Sequence, residues 1–194
     1  NYIKKFNQYY KKKILTIIFY KFEKNPKKIN VGFISPDFRA HPVAYSITGL
    51  IKYLKFYNFK LFAYYNFNIE DNLTLALKKD FDFFHNIVEL NNEQIINKIR
   101  SDGIHILIDL AGHSMNNNLE IFYYNPAPVQ MSWLGSMTTT GIKEINYKIV
   151  DENVFTESME KNYSEKLLKL PNIWTDFVVY QGENMPSSFS KNES

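Results

Sequence analysis

Asp102-Gly103-Ile104-His105-Ile106-Leu107-Ile108-Asp109-Leu110-Ala111-Gly112-His113 is the stretch from which the fold can be read outward. Ile104–Leu110 is a nearly continuous apolar run, the pattern of a strand buried on both faces. Asp102-Gly103 ends the element before it, where Asn91–Arg100 sets Ile95, Ile96 and Ile99 on one helical face. The same alternation extends in both directions. Upstream, Val31–Ser35 reads as a strand halted by Ser35-Pro36-Asp37. A helix opens at Pro42 and runs to about Lys55 with Tyr45, Leu50 and Leu54 in helical register. Phe59–Tyr65 reads as a second strand, Asp71–Lys79 as a helix and Phe83–Leu90 as a third strand. Downstream, Asn117–Tyr124 reads as a helix, Pro128–Leu134 as the fifth strand and Tyr147–Val150 as the sixth. Strands alternating with helices across short connections define an α/β protein with a Rossmann-like, mostly parallel sheet.

Composition agrees with one folded domain and closes several routes. The chain has 194 residues, 45% of them hydrophobic and 22% charged, which is enough for a buried core and unlike a disordered chain. Cysteine is absent, so disulfides, a thiol nucleophile and zinc-thiolate sites are excluded. That absence accords with a cytoplasmic location. No apolar run approaches the ~18 residues of a membrane span. The net charge of +3 is unevenly spread: residues 1–30 hold nine lysines and one acid, and the remaining residues carry more acids than bases. The core therefore offers no basic stripe for nucleic acid. Three regions follow: a basic arm at 1–29 with a short apolar run, Ile14–Tyr20, expected as an amphipathic helix; a lobe at 30–180; and a polar tail or linker at 181–194.

In an open parallel sheet, ligands bind beyond the carboxyl ends of the strands. Polar segments fall at three such ends: Ser35–His41 after the first strand, Gly112–Ser114 after the fourth and Gly135–Gly141 after the fifth. Their shared position predicts a single cleft on one rim. His41, just before Pro42 at the helix mouth, either caps the helix or holds a sugar hydroxyl or phosphate oxygen. His113, on a tight turn, is a ligand contact or a solvated loop residue. His105 reads as a hydrogen-bonded core residue, and His85 has no assigned role. Gly135-Ser136-Met137-Thr138-Thr139-Thr140-Gly141 sets hydroxyls between glycines and can wrap a phosphate or sugar, although it matches neither Gly-rich phosphate-loop consensus. Asp80-Phe81-Asp82 has no further hard-oxygen ligands near it, and the histidines lack metal-ligand spacing, so no metal site is expected.

These segments also carry a resemblance. Val31-Gly32-Phe33-Ile34-Ser35-Pro36-Asp37-Phe38-Arg39-Ala40-His41-Pro42-Val43, the Asp102–His113 stretch, Pro126-Ala127-Pro128-Val129-Gln130, Trp133-Leu134-Gly135 and Tyr163-Ser164-Glu165-Lys166-Leu167 together resemble the O-linked N-acetylglucosamine transferase family. That family includes the plant Spindly-type fucosyltransferases. The likeness runs from about Lys28 to Pro171, in order. It implies the N-terminal lobe of a GT-B-type glycosyltransferase, inverting and metal-independent, moving a sugar from a nucleotide donor such as UDP-GlcNAc to Ser or Thr of an acceptor protein. No other cofactor is implied. The resemblance makes His41 the catalytic candidate and Pro42, Val43, His113, Leu134 and Gly135 donor-site residues; Thr138 and Thr139 join them from the loop reading. It further implies a C-terminal lobe that supplies most nucleotide contacts, and often tetratricopeptide repeats upstream.

Two departures support an alternative. Family loops commonly read Trp-Leu-Gly-Tyr-Pro-Gly-Thr-Thr-Gly, whereas Ser136, Met137 and Thr138 stand here, and the chain ends soon after the first lobe. The alternative is a non-catalytic lobe, truncated or degenerate, that serves as a binding module.

Overall fold

A computed structural model describes residues 25–173 and Thr175. The amphipathic helix expected at Ile14–Tyr20 and the tail from 181 lie outside the described residues. In chain order the elements are β1 (Ile29–Ser35), α1 (Pro42–Leu54), β2 (Phe59–Tyr65), α2 (Asn72–Asp80), β3 (Phe83–Asn86), α3 (Asn92–Ser101), β4 (Ile106–Asp109), α4 (Leu119–Phe122), β5 (Val129–Ser132), β6 (Tyr147–Asp151), α5 (Glu157–Glu160) and β7 (Lys166–Leu170). The strands form one sheet in the order β3-β2-β1-β4-β5-β6-β7. Every neighbouring pair is parallel, so the sheet is wholly parallel.

Both faces of the central strands are covered, as the apolar runs require. Val31, Phe33, Ala63 and Ile108 face α1 and α2, meeting Ile47, Ile51, Leu73 and Leu77. Ile34, Phe62, Tyr64 and Leu107 face the other way, toward Ile95 and Ile99 of α3 and Leu119 and Phe122 of α4. Each such side chain, moved from water to the core, contributes about 1.5–3 kcal/mol. Beyond α1 the first face opens into an apolar cleft of about 310 Å³, lined by Val31, Leu54, Met131, Trp133, Ile149 and Leu170 among others.

Helix starts are built by local side chains. α2 begins with a capping box in which Asp71 accepts from the Thr74 N–H and Thr74 answers to the Asp71 N–H. α3 begins the same way with Asn91 and Gln94. Gln130, buried in β5, donates to the carbonyls of Phe122 and Glu144 and so ties α4 to the loop before β6.

Several elements are shorter than their sequence patterns. β3 ends at Asn86, because the Asn86 side chain accepts from the Val88 N–H and starts a turn, although Ile87 beyond it stays buried. α4 is a single turn, since Asn117 accepts from the Leu119 N–H and holds the residues before it out of the helix. β4 starts after His105, whose Nδ1 accepts from the Asn30 N–H while its own N–H donates to the Asn30 carbonyl; the residue is hydrogen-bonded but only half buried, ahead of the strand. β7 has no counterpart in the sequence reading, because Lys166-Leu167-Leu168-Lys169-Leu170 lacks strand-forming β-branched residues. Its pairing with β6 along the whole strand makes it a strand. Among the described residues no helix is long and apolar enough to cross a membrane.

Candidate functional site

β1 leads away to β2 on one side, and β4 leads to β5 on the other, so the sheet order reverses between β1 and β4. That switch point leaves a crevice beyond the carboxyl ends of the two strands. The loops after β1, β4 and β5 all emerge on this rim, as the sequence predicts.

The loop after β1 is tied down along its length. The Asp37 N–H donates to the Ser35 hydroxyl at 3.0 Å, and Arg39 Nη2 donates to Asp37 Oδ1 at 3.1 Å while its guanidinium lies over the Phe67 ring. The Ala40 N–H donates to Asp71 Oδ2 at 2.5 Å, which joins this loop to the start of α2. Burial pushes the Asp71 carboxyl up, but the N–H groups of Ala40 and Thr74 and the Thr74 hydroxyl outweigh it, so the group titrates below its usual range. His41 is the N-cap of α1: its Nδ1 accepts from the Val43 N–H at 3.3 Å. Asp37 Oδ2 lies 3.7 Å from the same nitrogen, beyond hydrogen-bond distance. Accepting at Nδ1 places the imidazole proton on Nε2, so His41 offers a donor to a ligand. The structure shows the capping alternative at Nδ1 and leaves Nε2 outside the cap. Pro42 is exposed at the first position of α1, and Val43 is buried in the core, leaving only its backbone near the rim.

The loops after β4 and β5 are in backbone contact. A Cβ on Gly135 would lie 2.3 Å from the Ala111 carbonyl carbon, and one on Gly112 would lie 2.8 Å from the Ser136 Cβ. Leu134, before this contact, holds a left-handed φ of 64°. His113 Nε2 is 3.0 Å from the Thr140 carbonyl oxygen, so His113 joins the two loops. The Thr138 hydroxyl lies 2.8 Å from that of Ser136 on the exposed crest. The Thr139 hydroxyl donates to Glu165 Oε2 at 2.6 Å and accepts from the N–H groups of Gly141 and Ser164, so it shapes the loop instead of facing outward.

Three features beside the rim were given no role by the sequence reading, although Tyr163-Ser164-Glu165 is part of the family resemblance. Tyr163-Ser164-Glu165 fastens the β5 loop: the Tyr163 hydroxyl donates to the Met137 carbonyl, and Glu165 accepts from the Thr140 N–H at 2.6 Å and from the Thr140 hydroxyl. Asp109, wholly buried at the end of β4, accepts from the N–H groups of Ala111 at 3.1 Å and Gly112 at 2.9 Å. Lys148, 1% exposed on β6, lies behind both. A lone acid closing one apolar strand and a lone lysine inside another were the available signals. Asp80 and Asp82 are engaged locally, with Lys55 at 3.3 Å and the Leu61 N–H at 2.7 Å respectively. Among the described residues no cluster of three or more His, Asp or Glu could hold a metal ion.

A wholly parallel sheet with its polar groups gathered at the switch point defines a Rossmann-like lobe with one polar rim. Comparison with known proteins takes this further: the chain belongs to glycosyl transferase family 41, whose model matches residues 7–190. A probable UDP-N-acetylglucosamine–peptide N-acetylglucosaminyltransferase SPINDLY of Petunia hybrida is 32% identical over 163 residues, 81% of this chain and 17% of that protein. Its counterpart in Oryza sativa is 30% identical over 155 residues, 76% of this chain and 17% of that protein. Among solved structures, a mutant O-GlcNAc transferase of Thermobaculum terrenum superposes with a TM-score of 0.83 at 26% identity, over 89% of this chain and 34% of that one. The chain thus spans about a sixth of these curated relatives and a third of that structure.

Proposed function

We propose that this lobe is the acceptor- and sugar-facing half of a protein O-glycosyltransferase that moves a sugar from a nucleotide donor, such as UDP-GlcNAc, to Ser or Thr of a protein, with inversion and without a metal. The observation that carries the reading is His41: Nδ1 is held by the cap of α1, and an Nε2–H is left at the β1–β4 switch point. Such a donor orients a sugar or phosphate oxygen while the helix N-terminus favours negative charge on the leaving diphosphate. Pro42 and the Val43 backbone, the His113 turn, the left-handed Leu134, Gly135 and the exposed Thr138 complete the donor side. Thr139 serves indirectly, by shaping the loop. The relatives' length supports a second lobe as the source of most nucleotide contacts.

The test is transfer by the protein purified from its source, supplied with protein acceptors and either UDP-GlcNAc or GDP-fucose. Mass spectrometry is expected to find a single sugar on Ser or Thr with one of the donors. Donor binding without transfer would favour the non-catalytic binding module, a reading that Ser136-Met137-Thr138 at the loop crest supports.

A further inference from the structure

Two buried carboxylates hold the rim loops. Asp109 accepts from the backbone N–H groups of Ala111 and Gly112 in the loop after β4. Glu165 accepts from the Thr140 N–H and from the hydroxyls of Thr139, Thr140 and Ser164 around the loop after β5. Every one of these bonds uses a carboxylate oxygen as acceptor, the pattern of the ionised form. Two such charges in a dry interior need a cation. Two cationic side chains are buried among the described residues, Arg100 and Lys148. Arg100 is engaged elsewhere, donating to the Tyr124 carbonyl at 2.6 Å. Lys148 Nζ is 3.4 Å from the Ser132 hydroxyl, which in turn donates to Asp109 Oδ2 at 3.4 Å. Burial, the larger effect, pulls the Lys148 ammonium toward the neutral amine and the Asp109 carboxyl toward its protonated form; the charges of Asp109 and Glu165 oppose it at Lys148, and that of Lys148 opposes it at Asp109.

We propose that Lys148 is a positioning residue whose buried ammonium balances Asp109 and Glu165 and thereby holds the loops after β4 and β5 in one shape. That the held shape is the sugar-donor site rests on the proposed function; the charge linkage does not. The arrangement places one cation on β6 behind two loops that themselves meet at Gly135 and Gly112, so both loops lose their anchor together when the charge is removed.

Amide hydrogen exchange on the full chain tests it, comparing wild type with Lys148→Met, Lys148→Arg and the double variant Asp109→Asn/Lys148→Met. In Lys148→Met the amides of Ala111, Gly112 and Thr140 are expected to exchange about tenfold faster or more, with those of Val31 and Leu61 unchanged. Lys148→Arg restores protection. The double variant restores it at Ala111 alone, because Asn keeps one acceptor oxygen, Oδ1, without needing a cation, and sets an amide NH2 against the Gly112 N–H. Unchanged protection in Lys148→Met would overturn the proposal, as would uniform loosening of the whole sheet or a double variant no better than the single one. Should Lys148→Met fail to fold, folding of the double variant supports the charge linkage and failure of both overturns it. Donor KM and kcat measured on the same variants keep the two readings apart. Local loosening in Lys148→Met in a protein that transfers no sugar would sink the proposed function and leave the role of Lys148 standing.

Discussion

On the proposed reading, His41 serves stability and chemistry through different atoms. Its Nδ1 caps α1, and the proposed function gives its Nε2 to the ligand. The two parts separate by substitution. His41→Ala is expected to lose about 1 kcal/mol of stability from the cap. It is also expected to lose on the order of 100-fold in turnover. Asn is a good N-cap, so His41→Asn regains the stability in a thermal melt and leaves turnover as low as in His41→Ala. Turnover near wild type in either variant would remove His41 from the mechanism. Thr139 is the opposite case: a hydroxyl that reads as a ligand contact in the sequence is turned onto Glu165 by the fold.

At the level of elements, the site is a set of loops pinned at few points. Gly135 lies against the Leu110 and Ala111 carbonyls, and no side-chain movement can make room for a methyl group there. Gly135→Ala is therefore expected to destabilise the protein by about 1–3 kcal/mol and to part the β4 and β5 loops. A lowered melting temperature together with lost donor binding would show both effects. The β1 loop depends on Asp71, whose carboxyl titrates below its ordinary value. A depressed carboxyl contributes stability above its unfolded pKa, near 3.9, and that contribution is lost as pH falls through the lower folded value. Stability of the wild type should thus fall on acidification below about pH 4. Asp71→Asn should be less stable at neutral pH and show a smaller drop, as read by urea unfolding at several pH values.

At the scale of the molecule, the sheet order matters more than any motif. The order β3-β2-β1-β4-β5-β6-β7 brings together loops that lie far apart in sequence, from Ser35 to Glu165, and puts their polar groups on one rim. The chain nevertheless covers 34% of the Thermobaculum terrenum transferase it superposes on. The 194 residues alone are expected to bind a nucleotide sugar no more tightly than ~1 mM in a calorimetric titration, and to transfer none of it. Submicromolar binding by this chain alone would mean that the lobe holds the nucleotide without a second one.

The sequence by itself determined the α/β class, the central strands and the rim on which the loops emerge. Doubly buried strands must be continuous apolar runs, and glycine, proline and aspartate mark where they stop. It also singled out His41, His113 and Gly135, because helix mouths and tight turns restrict which residues fit. Only the tertiary structure decided that Tyr163-Ser164-Glu165 clamps the β5 loop, that Thr139 turns inward, that β7 joins the sheet and that Lys148 meets the Ser132 hydroxyl that donates to Asp109. Those facts depend on contacts between residues up to 26 positions apart, Met137 with Tyr163 and Thr139 with Glu165 among them, and such contacts leave no periodicity in the chain. Charge balance inside a core is a property of the assembled sheet, and along the sequence Asp109 and Lys148 are merely one acid and one base in two apolar strands.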